Sequence, residues 1–520
     1  RISVVLPCLN ESFNMVKTVE SFCARTPRAV LEEIVVVDDG SWPPLAEIMT
    51  PAIPENCRVR IVRHEKPMGL MIAKQTGGDT AKGQFIGFYD CHVAPRIDWE
   101  KETIKLLTER PQRLVIPMIG DLNVTTWDEK LGGQLLSKCY MGWNVEFWWY
   151  EDGSDFVPAI SGGLVATTRE WWQASGGFDS DMRGWGGENL DQSLRAWLCG
   201  ADIVRAKSSV ISHMWRINTD SRTVAKFKLP HFHVDNVGRV AAAWFDEFKP
   251  KYKNGLLRRE HMDVSGIEKV KSRLHCKPFA TFLHRFRGVY FDGGLLPDRV
   301  FRIRSKSSGL CLKRMMKSYV MKECDQGTWF HLANQAPEQW PDPAGLASLQ
   351  AISEQEERRS PATGSQVTCG GHHAPTCAQC PQGNGAGWCH ADCSWLLGRC
   401  LPREAVAKVQ FQPAKKCCSG VREWNTIECW DKLEASGPWP SYCDMMGTWT
   451  LQHYLFDESG LIWHDSGQCV SEDAQARKAS AADCGSAVRW EQVDSFEPEE
   501  TKWYREAVQR LGLSEDSPSK

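Results

Sequence analysis

The 520 residues carry a net charge of −3 with 24% charged side chains, which speaks against nucleic-acid or membrane-surface binding by bulk electrostatics. The length implies two or more domains with room for large cores. Apolar content, at 42%, is that of a folded soluble chain, but 23 Trp and 21 Cys are unusual. Twelve of the cysteines lie between Cys311 and Cys443. Such crowding suggests disulfides and an oxidising compartment, with a zinc-rich cytosolic segment as the competing reading. No apolar run is long enough to span a bilayer and no signal-peptide pattern is present. The chain opens directly on a strand without an initiator Met, and reads as a piece of a longer protein whose N-terminus is missing.

Residues 2–7 form a short apolar strand, and Asn10 and Ser12 offer caps for a helix over about 13–23. A second strand, 33–37, ends in Asp38-Asp39-Gly40-Ser41, and a third, 59–62, precedes Met68-Gly69-Leu70 and a helix to about Ala81. The apolar run 84–89 reads as a buried strand leading into Asp90-Cys91-His92. On a strand, residues two apart face the same way, so Asp90 and His92 can aim an oxygen and a nitrogen at one point. That suits a divalent cation such as manganese, although the same triplet is also an ordinary polar strand end. The strand–helix alternation argues for a parallel, doubly wound sheet, and ligands collect at the carboxyl ends of such strands, where Asp38, Asp39, Asp90 and His92 all lie.

Further on, residues 114–119 form another strand, and the aromatic stretch 143–150 serves as core, acceptor platform or both. Ser161-Gly162-Gly163-Leu164 and Gly184-Trp185-Gly186-Gly187-Glu188-Asn189 follow, the second opening an amphipathic helix over 190–198. Glycines here let backbone approach a ligand while Glu188 and Asn189 offer a carboxylate and an amide; the bland alternative is acidic residues against a helix dipole. Strand 203–210 leads to His213, which can complete an Asp/His/His set. A helix over 236–249, with Trp244, Phe245 and Phe248 on its apolar face, closes the first domain.

Together these motifs resemble a family. Residues 1 to about 312 resemble the polypeptide N-acetylgalactosaminyltransferases, on the strength of Leu31–Asp39, Asp90-Cys91-His92, Gly162-Gly163-Leu164, Trp185-Gly186-Gly187-Glu188-Asn189-Leu190, His213-x-x-Arg216, Trp244-x-Asp246-Glu247-Phe248-Lys249 and Arg273-Leu274-His275-Cys276-Lys277-Pro278-Phe279. The resemblance implies a GT-A catalytic domain, Rossmann-like with a mostly parallel sheet. It also implies manganese (Mn2+), UDP-GalNAc as donor, a Ser or Thr hydroxyl of a protein or glycopeptide as acceptor, and retention of anomeric configuration. Carried over, Asp90, His92 and His213 ligate the metal, and Asp38 or Asp39 contacts the uridine. Arg216 binds the pyrophosphate, Gly162 and Gly163 face the sugar, and Glu188 and Asn189 sit at the transferred sugar, with Trp185 beside donor or product. Family membership also implies the Golgi lumen or secretory pathway, a type II membrane protein when full length, and membrane contact only through the missing N-terminal anchor.

There are departures. Pro67-Met68-Gly69-Leu70 replaces a stretch where the family carries an arginine, Ile72 takes another arginine position, and Lys74 keeps a positive charge for the donor. Residues 218–230 stand in place of a Pro-Gly-Gly loop. Ser208 stands where the family has the cysteine paired to the one before Lys-Pro-Phe, so Cys276 is free or differently paired, and Cys199 matches a cysteine whose partner lies upstream of Arg1. These departures leave open a related transferase using another UDP-sugar, or an inactive carbohydrate-binding protein.

After Val300 a degenerate repeat appears: Cys311…Cys324…Trp329, Cys429…Cys443…Trp449 and Cys469…Cys484…Trp490. The threefold pattern suggests an all-β trefoil and resembles the ricin-type lectin module of the same family. One disulfide is expected inside each repeat: Cys311–Cys324, Cys429–Cys443 and Cys469–Cys484. The family's sugar-binding Asp is replaced by Lys313 and Ser471 in the first and third repeats; only Asp431 keeps an acid. The expected organisation is a GT-A domain at 1–255, a linker at 256–299, a first trefoil repeat at 300–340, an insertion at 341–412, second and third repeats at 413–495, and a helix and tail at 496–520. The insertion begins as a polar linker and continues as six cysteines from Cys369 to Cys400 with His372, His373 and His390. It reads as a small disulfide module, with a zinc knuckle as the alternative.

Overall fold

In the computed structural model, residues 1–49, 57–130, 135–150, 154–216, 233–252, 262–292, 294–315, 318–333 and 469–513 are described, with shorter stretches in 366–404, at 420–423 and in 454–464. The chain divides into two units. One comprises Arg1–Trp149, Ser154–Phe286 and Trp503–Lys520; the other comprises Tyr150–Gly153 and Arg287–Lys502.

The first unit begins with β1 (Ile2–Cys8), α1 (Phe13–Arg25), β2 (Leu31–Asp38), α2 (Leu45–Met49), β3 (Val59–Arg63), α3 (Leu70–Thr80), β4 (Phe85–Tyr89), β5 (Val93–Pro95) and α4 (Trp99–Glu109). It continues with β6 (Arg113–Asn123), β7 (Asp128–Glu129), β8 (Cys139–Met141), β9 (Phe147–Trp149), β10 (Leu164–Thr168), α5 (Arg169–Ser175), α6 (Glu188–Leu198), β11 (Asp202–His213) and α7 (His233–Trp244). The large sheet has the order β3-β2-β1-β4-β10-β6-β11-β5. Strands β1 to β4 run parallel to one another, as do β6 and β11, while β10 runs antiparallel to both β4 and β6 and β5 antiparallel to β11. The expected parallel sheet is thus a mixed one, because β10 and β5 return without a crossover helix. The inner strands are buried on both faces, which is why β1, β2 and β4 read as continuous apolar runs rather than alternating ones. Val4, Leu6, Ile34, Val36, Tyr89, Trp99, Val115 and Ala166 belong to the core on one side of this sheet.

From β1 the chain steps outward to β2 and β3, then crosses back to place β4 on the other side of β1. The crevice beyond the carboxyl ends of β1 and β4 is therefore the topological switch point, where open α/β sheets bind ligands. Both strand ends carry polar side chains: Glu11 lies three residues past β1, and Asp90 and His92 follow β4. The helix read over 236–249 is α7 followed by a single 3-10 segment, Asp246–Lys251, that contains Pro250. The break falls where Asp246 takes a positive φ of 44°, outside the right-handed helical region. Trp143 stacks on Phe248 at 5.7 Å and meets Phe245 and Phe279 edge-on, so this part of the aromatic stretch is core.

The second unit is built on antiparallel strands: β12 (Val300–Ser305), β13 (Cys311–Met315), β14 (Ser318–Lys322), β15 (Trp329–Ala333), the hairpins β16 (Val367–Cys369)/β17 (His372–Ala374) and β18 (Cys393–Leu396)/β19 (Arg399–Pro402), then β20 (Gly420–Glu423), β21 (Tyr454–Phe456), β22 (Ile462–His464), β23 (Cys469–Asp473), β24 (Lys478–Ala482) and β25 (Trp490–Phe496). Ten of these join in the order β13-β14-β24-β23-β22-β21-β20-β15-β12-β25, and β12 also pairs with β13. That extra pairing closes the strand order on itself around Phe301, Ile303, Leu312, Phe330, Ile462 and Trp490.

The expected Cys311–Cys324 and Cys469–Cys484 bonds are formed, each spanning a β-hairpin of the barrel. The Cys429–Cys443 pair and Asp431 lie outside the described residues. In the insertion, the six cysteines pair as Cys369–Cys380, Cys377–Cys393 and Cys389–Cys400. Their sulfurs are thereby withdrawn from metal binding, which favours the disulfide module over a zinc knuckle. Two further bonds were not expected. Cys23–Cys57 ties α1 to the start of β3. Cys199–Cys276 corrects the expectation that Cys199 pairs upstream of Arg1 and that Cys276 lacks its usual partner. Lys277 N donates to Leu198 O at 2.8 Å, so the backbone itself brings the two cysteines together.

Candidate active site

Strand register assembles the centre. Leu164 of β10 lies opposite Tyr89 of β4, which sets Gly163 beside Asp90. On the other side, His213 at the end of β11 lies opposite Val93 of β5, one residue past His92. Met214 N then donates to His92 O at 3.1 Å and fixes the two histidine-bearing segments together. The result is a cluster in which a carboxylate oxygen of Asp90 and one nitrogen each of His92 and His213 lie within 4.8 Å of one another. His213 Nε2 is 3.2 Å and His92 Nε2 4.0 Å from the same oxygen, Asp90 Oδ2.

The electrostatics favour a cation. Burial alone would raise the Asp90 carboxyl, but the His213 hydrogen bond and the electrostatic pull of the neighbouring imidazoles and Lys74 hold it down at about 2. Burial pushes His213 below the usual imidazole range, toward the neutral form that a metal ligand requires. An ionised carboxylate with two imidazoles is a donor set for a first-row divalent ion. Gly163 adds a geometric condition: a Cβ there would run into the Asp90 carboxylate, so only glycine leaves Asp90 in this position. The residues present fit a divalent metal.

Gly162, in the left-handed region at φ 109°, links this cluster to the second group of predicted residues. A Cβ on Gly162 would touch Asn189 Cβ at 3.4 Å and Glu188 Oε1 at 3.6 Å. Glu188 and Asn189 open α6 and are buried; Asn189 Nδ2 donates to Ile160 O at 3.0 Å. Lys74, on α3, is 1% exposed and donates to Gly162 O at 3.1 Å and Glu188 Oε1 at 3.4 Å. Its ammonium is engaged by Glu188 and the glycine strap. Glu188 Oε2 is buried without a hydrogen-bond partner among the described residues. Trp185 is partly exposed on the loop whose Gly184 O accepts from Leu70 N at 2.9 Å.

Asp38 and Asp39 are buried and serve the loops. Asp38 accepts from Ser41 N at 2.9 Å and Leu45 N at 3.0 Å and pairs with Arg63. Asp39 accepts from Met68 N and Gly69 N, each at 2.8 Å, and from His64 at 2.7 Å. The Met68-Gly69 turn is thus held in place by Asp39. Arg216 follows His213 and lies 3.4 Å from His92 Nδ1, paired with Glu11. Glu11 escaped the sequence reading. Its carboxylate is 3.3 Å from His92 Nδ1, and although burial raises it, His92, Arg216 and Asn14 bring it below the ordinary range. The available signal was its place just past the first strand of the sheet.

Residues 3–158 match glycosyl transferase family 2, and residues 152–219 match the N-terminal domain of galactosyltransferase. Together with the mixed sheet and its switch-point cluster, these matches mark residues 3–219 as a domain of the glycosyltransferase type with a GT-A-like fold. Within that class the chain is a relative of the polypeptide N-acetylgalactosaminyltransferases. It is 29% identical over 337 residues to human polypeptide N-acetylgalactosaminyltransferase 13, covering 60% of this chain and 59% of that protein. It is 28% identical over 310 residues to probable N-acetylgalactosaminyltransferase 9 of Caenorhabditis elegans, covering 54% of this chain and 52% of that one. The aligned part therefore spans between half and three-fifths of these curated relatives' length. A crystal structure of GalNAc-T7 with UDP, GalNAc and Mn2+ shares the fold, with a TM-score of 0.52 at 18% identity, over 94% of this chain and 81% of that one. No helix among the described residues is long and apolar enough to cross a membrane.

Proposed function

We propose that the chain is a manganese-dependent, retaining transferase that moves N-acetylgalactosamine from UDP-GalNAc to Ser or Thr hydroxyls of proteins. The observation that carries this reading is the convergence of Asp90, His92 and His213 at the switch point, joined through Gly162 and Gly163 to the buried Glu188. Asp90, His92 and His213 would hold the ion, whose chemistry when bound is to neutralise charge on a departing diphosphate. Arg216 brings a guanidinium to the same place and gives the pyrophosphate a fixed donor fork, worth most in a site that excludes water. Lys74 holds Glu188 through one oxygen and leaves the other as an acceptor for a sugar hydroxyl. Asp38 and Asp39 order the loops beside the nucleotide, and the partly exposed Trp185 and Trp215 offer stacking surfaces to sugar or acceptor. We assign the transferase to 1–255 and a lectin-like trefoil to 300–340 with 413–495, interrupted by the disulfide module. The disulfides support a secretory, Golgi-type location.

A second reading, transfer from another UDP-sugar, is favoured by one observation: Asp39 holds Met68 and Gly69 by their amides, and no arginine stands there. Incubation of a Ser/Thr-rich peptide with Mn2+ and a panel of UDP-sugars, followed by mass spectrometry, separates the two. A mass gain with UDP-GalNAc alone is expected. A gain with a different sugar moves the assignment to the second reading, and no gain with any donor sinks both.

A further inference from the structure

Beside the Asp90–His92–His213 cluster lies a second group of donors that shares His92 with it and brings a carboxylate and thiols that the proposed reaction does not use. A carboxylate oxygen of Glu11, the Cys91 thiol and a ring nitrogen of His92 lie within 4.8 Å of one another. The Cys8 thiol, at the end of β1, falls opposite Cys91 when the β1–β4 register is carried three residues on. Both cysteines are free, in a chain whose described residues form seven disulfides. The group has a direction. Cys8 and Cys91 are buried at its base, while the Glu11 and His92 side chains keep 11% and 12% of their surface and open it to solvent.

Two thiols, an imidazole and a carboxylate are the donor types of a tetrahedral zinc centre. Sulfur separates this group from the neighbouring cluster, whose oxygen and nitrogen donors suit harder ions. We propose that Glu11, Cys91 and His92, with Cys8 as the fourth donor, form a site for a thiophilic divalent cation such as Zn2+ or Cd2+. Without the ion, Cys8 donates to Leu6 O at 3.4 Å and Cys91 to Pro7 O at 3.0 Å. On binding, each thiol proton passes to solvent and two sulfur–metal bonds take the place of these contacts. Glu11 exchanges its ion pair with Arg216 for the cation. His92 offers Nδ1 to this group and Nε2 to Asp90. Turning it toward the thiols draws it from the other cluster, so each ion weakens the other by the same factor. That consequence for transfer rests on the proposed function; the site itself does not.

Cadmium titration of the full chain, read from the sulfur-to-cadmium charge-transfer absorption, tests the site without any need for transferase activity. Wild type is expected to bind one Cd2+ per chain more than Cys91→Ser, any other free thiols contributing equally to both. Glu11→Gln, which leaves the thiols in place, is expected to bind about tenfold or more weakly. Asp90→Asn is expected to keep the absorption. Equal stoichiometry in wild type and Cys91→Ser overturns the proposal, as does unchanged affinity in Glu11→Gln or loss of the absorption in Asp90→Asn. Should Cys91→Ser not fold, the Glu11→Gln and Asp90→Asn results decide by themselves.

Discussion

Lys74 shows how a residue's type can be legible while its task is not. The sequence reading expects a cation for the donor at this position, and the structure encloses it between Gly162 O and Glu188 Oε1 with almost no exposure. A buried ion pair is weak evidence for net stabilisation, but breaking it leaves a carboxylate uncompensated. Lys74→Met is therefore expected to cost about 3–5 kcal/mol in urea unfolding. Lys74→Met combined with Glu188→Gln is expected to recover part of that loss, because no buried charge is then left alone. Equal stability of Lys74→Met and wild type would remove the pair from the site's architecture. Glu11 is the converse case. Its local sequence offers no more than a place just past the first strand, because its contact with His92 and Arg216 depends on β1 and β4 being neighbours, a non-local fact.

Elements, more than single motifs, made the site readable. An acid and a histidine two apart at a strand end, and a glycine pair just before another strand, signal chemistry in one dimension. Which residues meet is decided by register: β10 against β4 puts Gly163 beside Asp90, and β11 against β5 puts His213 beside His92. The antiparallel course of β10 could not be read from its apolar pattern, since a buried strand looks alike in either direction. Gly163→Ala tests this arrangement. The atom in its way is a side-chain carboxylate that can swing aside, so folding should survive while Asp90 leaves its ligand position. A near-normal melting temperature is expected, with Mn2+ affinity at least about tenfold lower by electron paramagnetic resonance. Wild-type affinity would show that Asp90 tolerates the displacement.

At the scale of the whole molecule, the sequence disclosed two architectures and an oxidising chemistry, while cysteine pairing across long separations stayed hidden. Hairpin disulfides such as Cys311–Cys324 follow from a repeat, whereas Cys199–Cys276 depends on the end of α6 meeting a segment 77 residues later. A loop of that size constrains the unfolded chain strongly, and the Cys199→Ser, Cys276→Ser pair is expected to lose about 2–5 kcal/mol. Unchanged stability would place the bond outside the folded core. Sugar transfer driven by the switch-point cluster is tested by comparing wild type with Asp90→Ala in UDP release from UDP-GalNAc, with Mn2+ and a Ser/Thr peptide present. Asp90→Ala is expected to lose about 10²–10³-fold in rate, the scale of removing a principal electrostatic element, while remaining folded. Equal rates in the two proteins would contradict it.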